Sequence, residues 1–162
     1  MKKSKALFLD RDGVINRERG EYTYKVEDFE ILPSILESLK LAQEKGYKLI
    51  VITNQGGIAK GIYTHEDVTK AHGFLESELD KNGVHLTDIF YSPHHQDYSK
   101  SLDRKPDSLM FEKAIAIYNI DSSHSIMIGD SERDIIASEK VGVKGIKIEP
   151  NSSIFTIIES LI

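Results

Sequence analysis

A chain of 162 residues can bury one sizeable core, and it holds no repeat or linker, so a single domain over residues 1–162 is expected. The formal net charge of −5 argues against a surface built to grip nucleic acid, where clustered Lys and Arg supply the affinity. Without cysteine there is no disulfide, no thiolate metal site and no catalytic thiol, and no apolar run is long enough to span a bilayer.

The N-terminal lysines Lys2, Lys3 and Lys5 read as a solvated end. Residues 6–10 then form a short apolar strand, too short for the core of a secretory signal, so a cytoplasmic location is expected. A helix is predicted from Pro33, whose fixed φ suits a first turn, through Ile35, Leu36, Leu39 and Ala42 to a stop at Gly46. Residues 47–53 are a near-continuous apolar strand of the kind buried on both faces. Thr64 and Asp67 bracket a capping box that starts a second helix ending near Gly83. Further strands are predicted at 88–91, 125–128 and 145–148, with helices at 106–117, 131–141 and 152–161. This alternation is the pattern of an α/β fold: a parallel sheet of about five strands flanked by helices.

Three of these strands end in oxygen donors. Asp10 and Asp12 follow the first, Thr53 and Asn54 close the second, and Asp130 follows Gly129 after the fourth. In an open parallel sheet the carboxyl ends share one edge, and ligands bind in the crevice there. Two aspartates two residues apart, with Gly13 next, can present oxygens to a hard cation such as Mg²⁺. A calcium-loop reading fails because Val14 stands at the fifth position and Ile15 at the sixth, where an oxygen ligand and a glycine are needed. Singly, each feature has an ordinary explanation. An acidic turn accounts for Asp10 and Asp12, dipole stabilisation for Asp130 and Glu132, a loop entry for Thr53 and Asn54, and a solvated lysine for Lys105. Together they favour phosphoryl chemistry, with Lys105 beside a helix-starting proline to neutralise a phosphate near that helix's free N–H groups.

The stretches Asp10-Arg11-Asp12-Gly13-Val14-Ile15-Asn16, Thr53-Asn54-Gln55, Arg104-Lys105-Pro106 and Gly129-Asp130 with Asp134 resemble the four motifs of the haloacid dehalogenase superfamily. Within it, the chain is most similar to the small phosphatases that act on D-glycero-D-manno-heptose 1,7-bisphosphate and on histidinol phosphate. Ser92-Pro93-His94-His95 adds to that closer likeness. The resemblance implies a Rossmann-like fold and an Mg²⁺-dependent phosphoric monoester hydrolase working through an aspartyl-phosphate. By that resemblance Asp10 is the nucleophile, Asp12 the general acid and base, and Thr53 and Lys105 clamp the transferring phosphoryl group. Asp10, Asp12 through its carbonyl, and Asp130 would hold Mg²⁺, with Asp134 orienting Lys105 or a metal-bound water. Asn16, Asn54, Gln55 and Arg104 would meet the substrate. The implied reaction is removal of the C7 phosphate from the heptose bisphosphate during nucleotide-activated heptose synthesis, with histidinol-phosphate hydrolysis as the alternative. Its expected partner is a small phosphorylated sugar, with no nucleic acid and no membrane, and a monomer is expected.

In relatives a loop binds zinc through cysteines, whose places here are taken by Ser92, Ser101 and Asp103, leaving His94. Neutral hydroxyls are weak ligands, so structural zinc is not expected. His65, His72, His85 and His124 carry no expected function. The gaps on either side of residues 47–53 are too short for a cap domain of usual size, which leaves the catalytic edge open. Specificity then falls to residues 17–29, 55–63 and 94–104, in which Arg17, Arg19, Lys60 and Arg104 are candidates for a second phosphate. A phospho-accepting receiver-like module is the alternative of another class. It is disfavoured because the position after the second strand, where a receiver carries its phosphorylated aspartate, is Thr53.

Overall fold

In the run 6–9, Leu7 and Leu9 face one way while Ala6 and Phe8 face the other, and a strand apolar on both faces must be covered on both. In the computed structural model, which describes residues 2–162, this run is strand β1 (Ala6–Leu9), and none of its side chains reaches solvent. Strands β2 (Lys48–Asn54) and β4 (Ile126–Gly129) flank it in parallel. Beyond them lie β3 (Asp88–Ser92), next to β2, and β5 (Lys144–Lys147), next to β4. The order is therefore β3-β2-β1-β4-β5, the five-stranded parallel sheet expected from the sequence.

Helices α1 (Ile35–Glu44), α2 (His65–Lys81) and α5 (Phe155–Glu159) pack on the face carrying Leu7, Leu9, Leu49 and Val51. Helices α3 (Leu109–Tyr118) and α4 (Glu132–Glu139) cover Ala6, Phe8, Ile50 and Ile52 on the other. From β1 the chain steps outward to β2 and β3, then returns to place β4 on the opposite side of β1. Strand order thus reverses between β1 and β4, and in such sheets that reversal opens a crevice at the carboxyl ends. No helix among the described residues is long and apolar enough to cross a membrane.

The capping box at Thr64 and Asp67 is present, each side chain accepting from the other's backbone N–H. Three predicted helix ends are corrected. Helix α1 starts at Ile35 rather than Pro33, because Ser34 takes a left-handed φ of 68° and breaks the first turn. Helix α3 starts at Leu109 rather than 106: the Lys105–Pro106 peptide is cis, and residues 104–107 make a turn in which Asp107 N–H donates to the Arg104 carbonyl at 2.8 Å. Lys105 therefore does not sit at a helix N-terminus. Helix α5 is confined to Phe155–Glu159, since Asn151 is left-handed at φ 67° and the Ser153 hydroxyl accepts from the Phe155 N–H.

Phe8 packs edge-on against Phe111 of α3, with ring centroids 5.1 Å apart, at the centre of the second core face. Truncation there leaves a cavity that close-packed neighbours cannot fill. Phe8→Ala should cost about 3–5 kcal/mol in urea unfolding; a loss under about 1 kcal/mol would contradict this packing.

Candidate active site

Lys105 is almost fully buried, and a buried ammonium needs oxygen partners on all sides. Its Nζ donates to Asp10 Oδ1 at 3.0 Å, to Asp134 Oδ1 at 2.5 Å and to the Ile52 carbonyl at 2.7 Å. Three elements supply these acceptors: the end of β1, the first turn of α4 and the end of β2. Asn54 holds the lysine's backbone in place, accepting from the Lys105 N–H at 3.0 Å and donating to its carbonyl at 3.1 Å. Burial alone favours a neutral amine, but Asp10 and Asp134 outweigh it and raise the Lys105 pKa. Asp134 also caps its own helix, Oδ2 accepting from the Ser131 N–H at 3.1 Å. A Cβ at Gly129 would collide with that carboxylate, so a glycine there lets the β4 end approach it closely.

Asp10, Asp130 and Asp134 each bring a carboxylate oxygen to within 4.8 Å of the others. Burial first, then the Asp134 charge, pushes Asp10 well above the usual carboxylate range, with Lys105 only partly opposing it. Burial and Asp134 raise Asp130 as well. One ammonium is insufficient cover for so many carboxylates, and oxygen ligands of this kind suit a hard divalent cation. Asp10 Oδ1 takes both Lys105 Nζ and the Arg11 N–H, which leaves Oδ2 with no protein donor among the described residues.

Asp12 sits in a different environment. Its Oδ1 accepts from Arg11 Nη2 at 2.8 Å and Asn16 Nδ2 at 2.9 Å, and its Oδ2 accepts from Gln55 Nε2 at 3.2 Å. Burial pushes this carboxyl up, but the Arg11 charge and the three hydrogen bonds prevail and hold it below the usual range. Asn16, expected to touch substrate, is instead fully buried beneath Asp12, so it supports that carboxylate. Thr53 is also buried, its hydroxyl accepting from Gln55 Nε2 at 3.0 Å, and Gln55 Oε1 accepts from the Tyr63 hydroxyl at 2.7 Å.

Above these groups lies a cavity of about 590 Å³. Asp10, Asp12, Lys105, Asp130 and Asp134 form its floor, joined by Asn54 and Gln55. The segment 18–23 contributes Glu18, Tyr22 and Thr23 to its lining, and His95, Arg104 and Arg133 line it as well. Of the four basic residues expected to meet a second phosphate, only Arg104 lines this cavity. Arg17 pairs with Glu30, and Arg19 bonds Thr23 and lies near Asp28. Arg133, at the start of α4, was not foreseen; its only sequence signal is its place beside Asp134. Arg11 was missed as well, because a charged residue between two aspartates reads as solvent-exposed.

The loop leading to Arg104 closes on itself. Ser92 Oγ and Ser101 Oγ donate to Asp103 Oδ1 at 2.8 and 2.6 Å, and His94 Nε2 lies 3.8 Å from Asp103 Oδ2. The His94 carbonyl in turn accepts from Arg104 Nη1 at 2.8 Å, so this polar hub fixes the arginine that faces the cavity.

A haloacid dehalogenase-like hydrolase family model matches residues 5–148. The chain belongs to this family. It is 40% identical over 146 residues, 86% of this chain and 80% of the relative, to the D-glycero-beta-D-manno-heptose-1,7-bisphosphate 7-phosphatase of Haemophilus ducreyi. It is 42% identical over 147 residues, covering 87% of this chain and 80% of the relative, to the corresponding alpha-anomer enzyme of Photorhabdus laumondii. A crystal structure of D,D-heptose 1.7-bisphosphate phosphatase from B. bronchiseptica, complexed with magnesium and phosphate, superposes with a TM-score of 0.85. It covers 96% of this chain and 86% of that one at 24% identity, a likeness of fold.

As a member of the haloacid dehalogenase-like family the chain is a hydrolase, and its carboxylate cluster yields a test by metal addition. Asp10 and Asp130 keep protons above pH 3.8, where the unfolded chain has lost them, so their share of metal-free stability falls as pH rises through that window. A cation needs them ionised. The gain in melting temperature when Mg²⁺ is added to chelator-treated protein should therefore be larger near about pH 8 than near about pH 5. No gain at either pH would contradict the cluster as a cation site, and an equal gain at both would contradict the raised Asp10 and Asp130.

Proposed function

We propose that this hydrolase is an Mg²⁺-dependent phosphatase that removes the C7 phosphate from D-glycero-D-manno-heptose 1,7-bisphosphate, serving the synthesis of nucleotide-activated heptose. The observation that carries this reading is the 40–42% identity, over 86–87% of the chain, to enzymes named for that reaction. Relatives named for the alpha and for the beta anomer are about equally similar, which supports the bisphosphate as substrate without favouring either anomer. The whole chain acts as one domain in this reading.

Asp10 attacks phosphorus as its carboxylate, the bond from phosphorus to the sugar oxygen breaks, and Asp12, held ionised in the free enzyme and protonated only beside the substrate's anionic phosphate, delivers a proton to that oxygen as it leaves. Asp12, now ionised, takes a proton from water, which attacks the phosphoryl group and releases orthophosphate with Asp10 restored. Lys105 holds Asp10 in register throughout and offers positive charge to the phosphoryl oxygens. Mg²⁺ would be held by Asp10, Asp130 and the Asp12 carbonyl, and when bound it neutralises the repulsion between nucleophile and phosphate. Asp134 keeps Lys105 aimed. Thr53, although buried, lies beside the transferring group in this reading. Zinc plays no part, because the Ser92 and Ser101 hydroxyls already donate to Asp103 and make poor ligands beside a single imidazole.

The reading is tested by a panel assay with Mg²⁺, comparing both heptose bisphosphate anomers with histidinol phosphate. Turnover of a heptose bisphosphate with loss of the C7 phosphate is expected, and Asp10→Asn should lose at least about 1,000-fold. Activity confined to histidinol phosphate would overturn the substrate assignment, and an active Asp10→Asn enzyme would overturn the nucleophile. Arg104 faces the cavity from the ordered loop, placing a guanidinium where a second phosphate can be gripped bidentately. Arg104→Ala should reduce the preference for bisphosphate over monophosphate by about 10-fold or more, read from the ratio of kcat/KM values. An unchanged ratio would argue against that role.

A further inference from the structure

Arg11 stands between the two reacting aspartates in sequence, yet its side chain is only 1% exposed. A guanidinium taken out of water has to be matched by acceptors, and the nature of those acceptors indicates what it is for. Nη2 donates to Asp12 Oδ1 at 2.8 Å and to the Thr23 carbonyl at 2.7 Å. Nη1 lies 3.3 Å from His72 Nε2 on α2. The guanidinium stacks 5.3 Å from the centre of the Phe29 ring, and Nε has no hydrogen-bond partner among the described residues. Since a guanidinium only donates, His72 Nε2 is the acceptor, which fixes a neutral ring with its proton on Nδ1. Burial, helped by the Arg11 charge, agrees with this by pushing the His72 pKa down to about 3. His72 is itself wedged edge-on against Tyr91 of β3, whose hydroxyl bonds His65 Nδ1 at 2.7 Å.

Thr23 belongs to the wall that also presents Glu18 and Tyr22 to the cavity. One side chain therefore joins a wall of the substrate cavity to the carboxylate that must protonate the leaving oxygen. We propose that Arg11 is a positioning residue whose forked guanidinium fixes Asp12 and the Thr23 carbonyl relative to each other, with His72 holding the fork from behind. The inference rests on the phosphatase reading and deepens it. Arg11 transfers nothing itself. The proton passes from Asp12 to the sugar oxygen as the phosphorus–oxygen bond breaks, and Arg11 sets the separation across which it moves. A lysine cannot reproduce this, because its one nitrogen can stand in for Nη2 at Asp12 and Thr23 or for Nη1 at His72, but not for both.

The test uses the dependence of rate on the leaving group. A sugar alkoxide needs the proton from Asp12, whereas 4-nitrophenolate departs without it, so kcat/KM on the two esters separates acid positioning from general damage. Arg11→Lys should lose about 100-fold on heptose bisphosphate and less than about 10-fold on 4-nitrophenyl phosphate. His72→Leu should show a smaller loss with the same bias, and His72→Gln, whose amide oxygen can accept from Arg11, should recover most of it. Melting temperatures report folding in parallel. Equal losses on both esters, or no loss on the sugar, would overturn the inference. Should Arg11→Lys fail to fold, the His72 pair decides by the same criterion. Wild-type protein inert toward both esters would overturn the phosphatase assignment, and this inference with it.

Discussion

An ammonium buried between two carboxylates sets the layout of this protein's working edge. Lys105 reaches Asp10, Asp134 and the Ile52 carbonyl at once, and only chain ends meeting at one corner of the sheet can supply all three. Taking three charged groups out of water is weakly stabilising at best, so such a cluster is poorly explained as reinforcement of the fold. In the proposed reaction it is a fixed field in which Asp10 is held, one oxygen bonded by Lys105 and the Arg11 N–H, for an incoming phosphate. The reversal of strand order between β1 and β4 supplies the corner, and the tight approach at Gly129 brings α4 close enough to close it.

Two carboxylates two residues apart are pushed in opposite directions by their surroundings. Burial and then the neighbouring acids raise Asp10, while Arg11, Asn16 and Gln55 outweigh burial and lower Asp12. This contrast belongs to the free enzyme, and it comes from side chains that no spacing rule would single out. Asp10, Asp12, Asp130 and Lys105 were legible because oxygen and nitrogen donors at strand ends stand out against apolar runs. Arg11, Asn16 and His72 were not, because their roles depend on burial, and burial of a polar side chain leaves no periodic mark. The same limit explains the misplaced start of α3: a proline after a lysine looks like a helix entry, and only the turn at residues 104–107 shows otherwise. The parallel sheet and its two covering layers followed from alternation alone, whereas the strand order is seen only in the structure.

Recognition of the remainder of the substrate is left to short segments. The hub at Asp103 ties the loop that carries Arg104 through hydrogen bonds from Ser92 and Ser101, and Arg133 adds a second guanidinium to the cavity lining. Glu18 and Tyr22 line the cavity as well, and this mixture of cationic and acceptor groups suits the proposed ligand, which carries an anionic group and free hydroxyls.

In the proposed reaction Asp10 takes the phosphoryl group before water does. Rapid acid quench of a single turnover, followed by peptide mass spectrometry, locates any acyl-phosphate directly. Phosphate is expected on Asp10 in the peptide that includes β1, present during turnover and absent from substrate-free enzyme. Phosphate found on a different side chain, or turnover with Asp10 never modified, would contradict it.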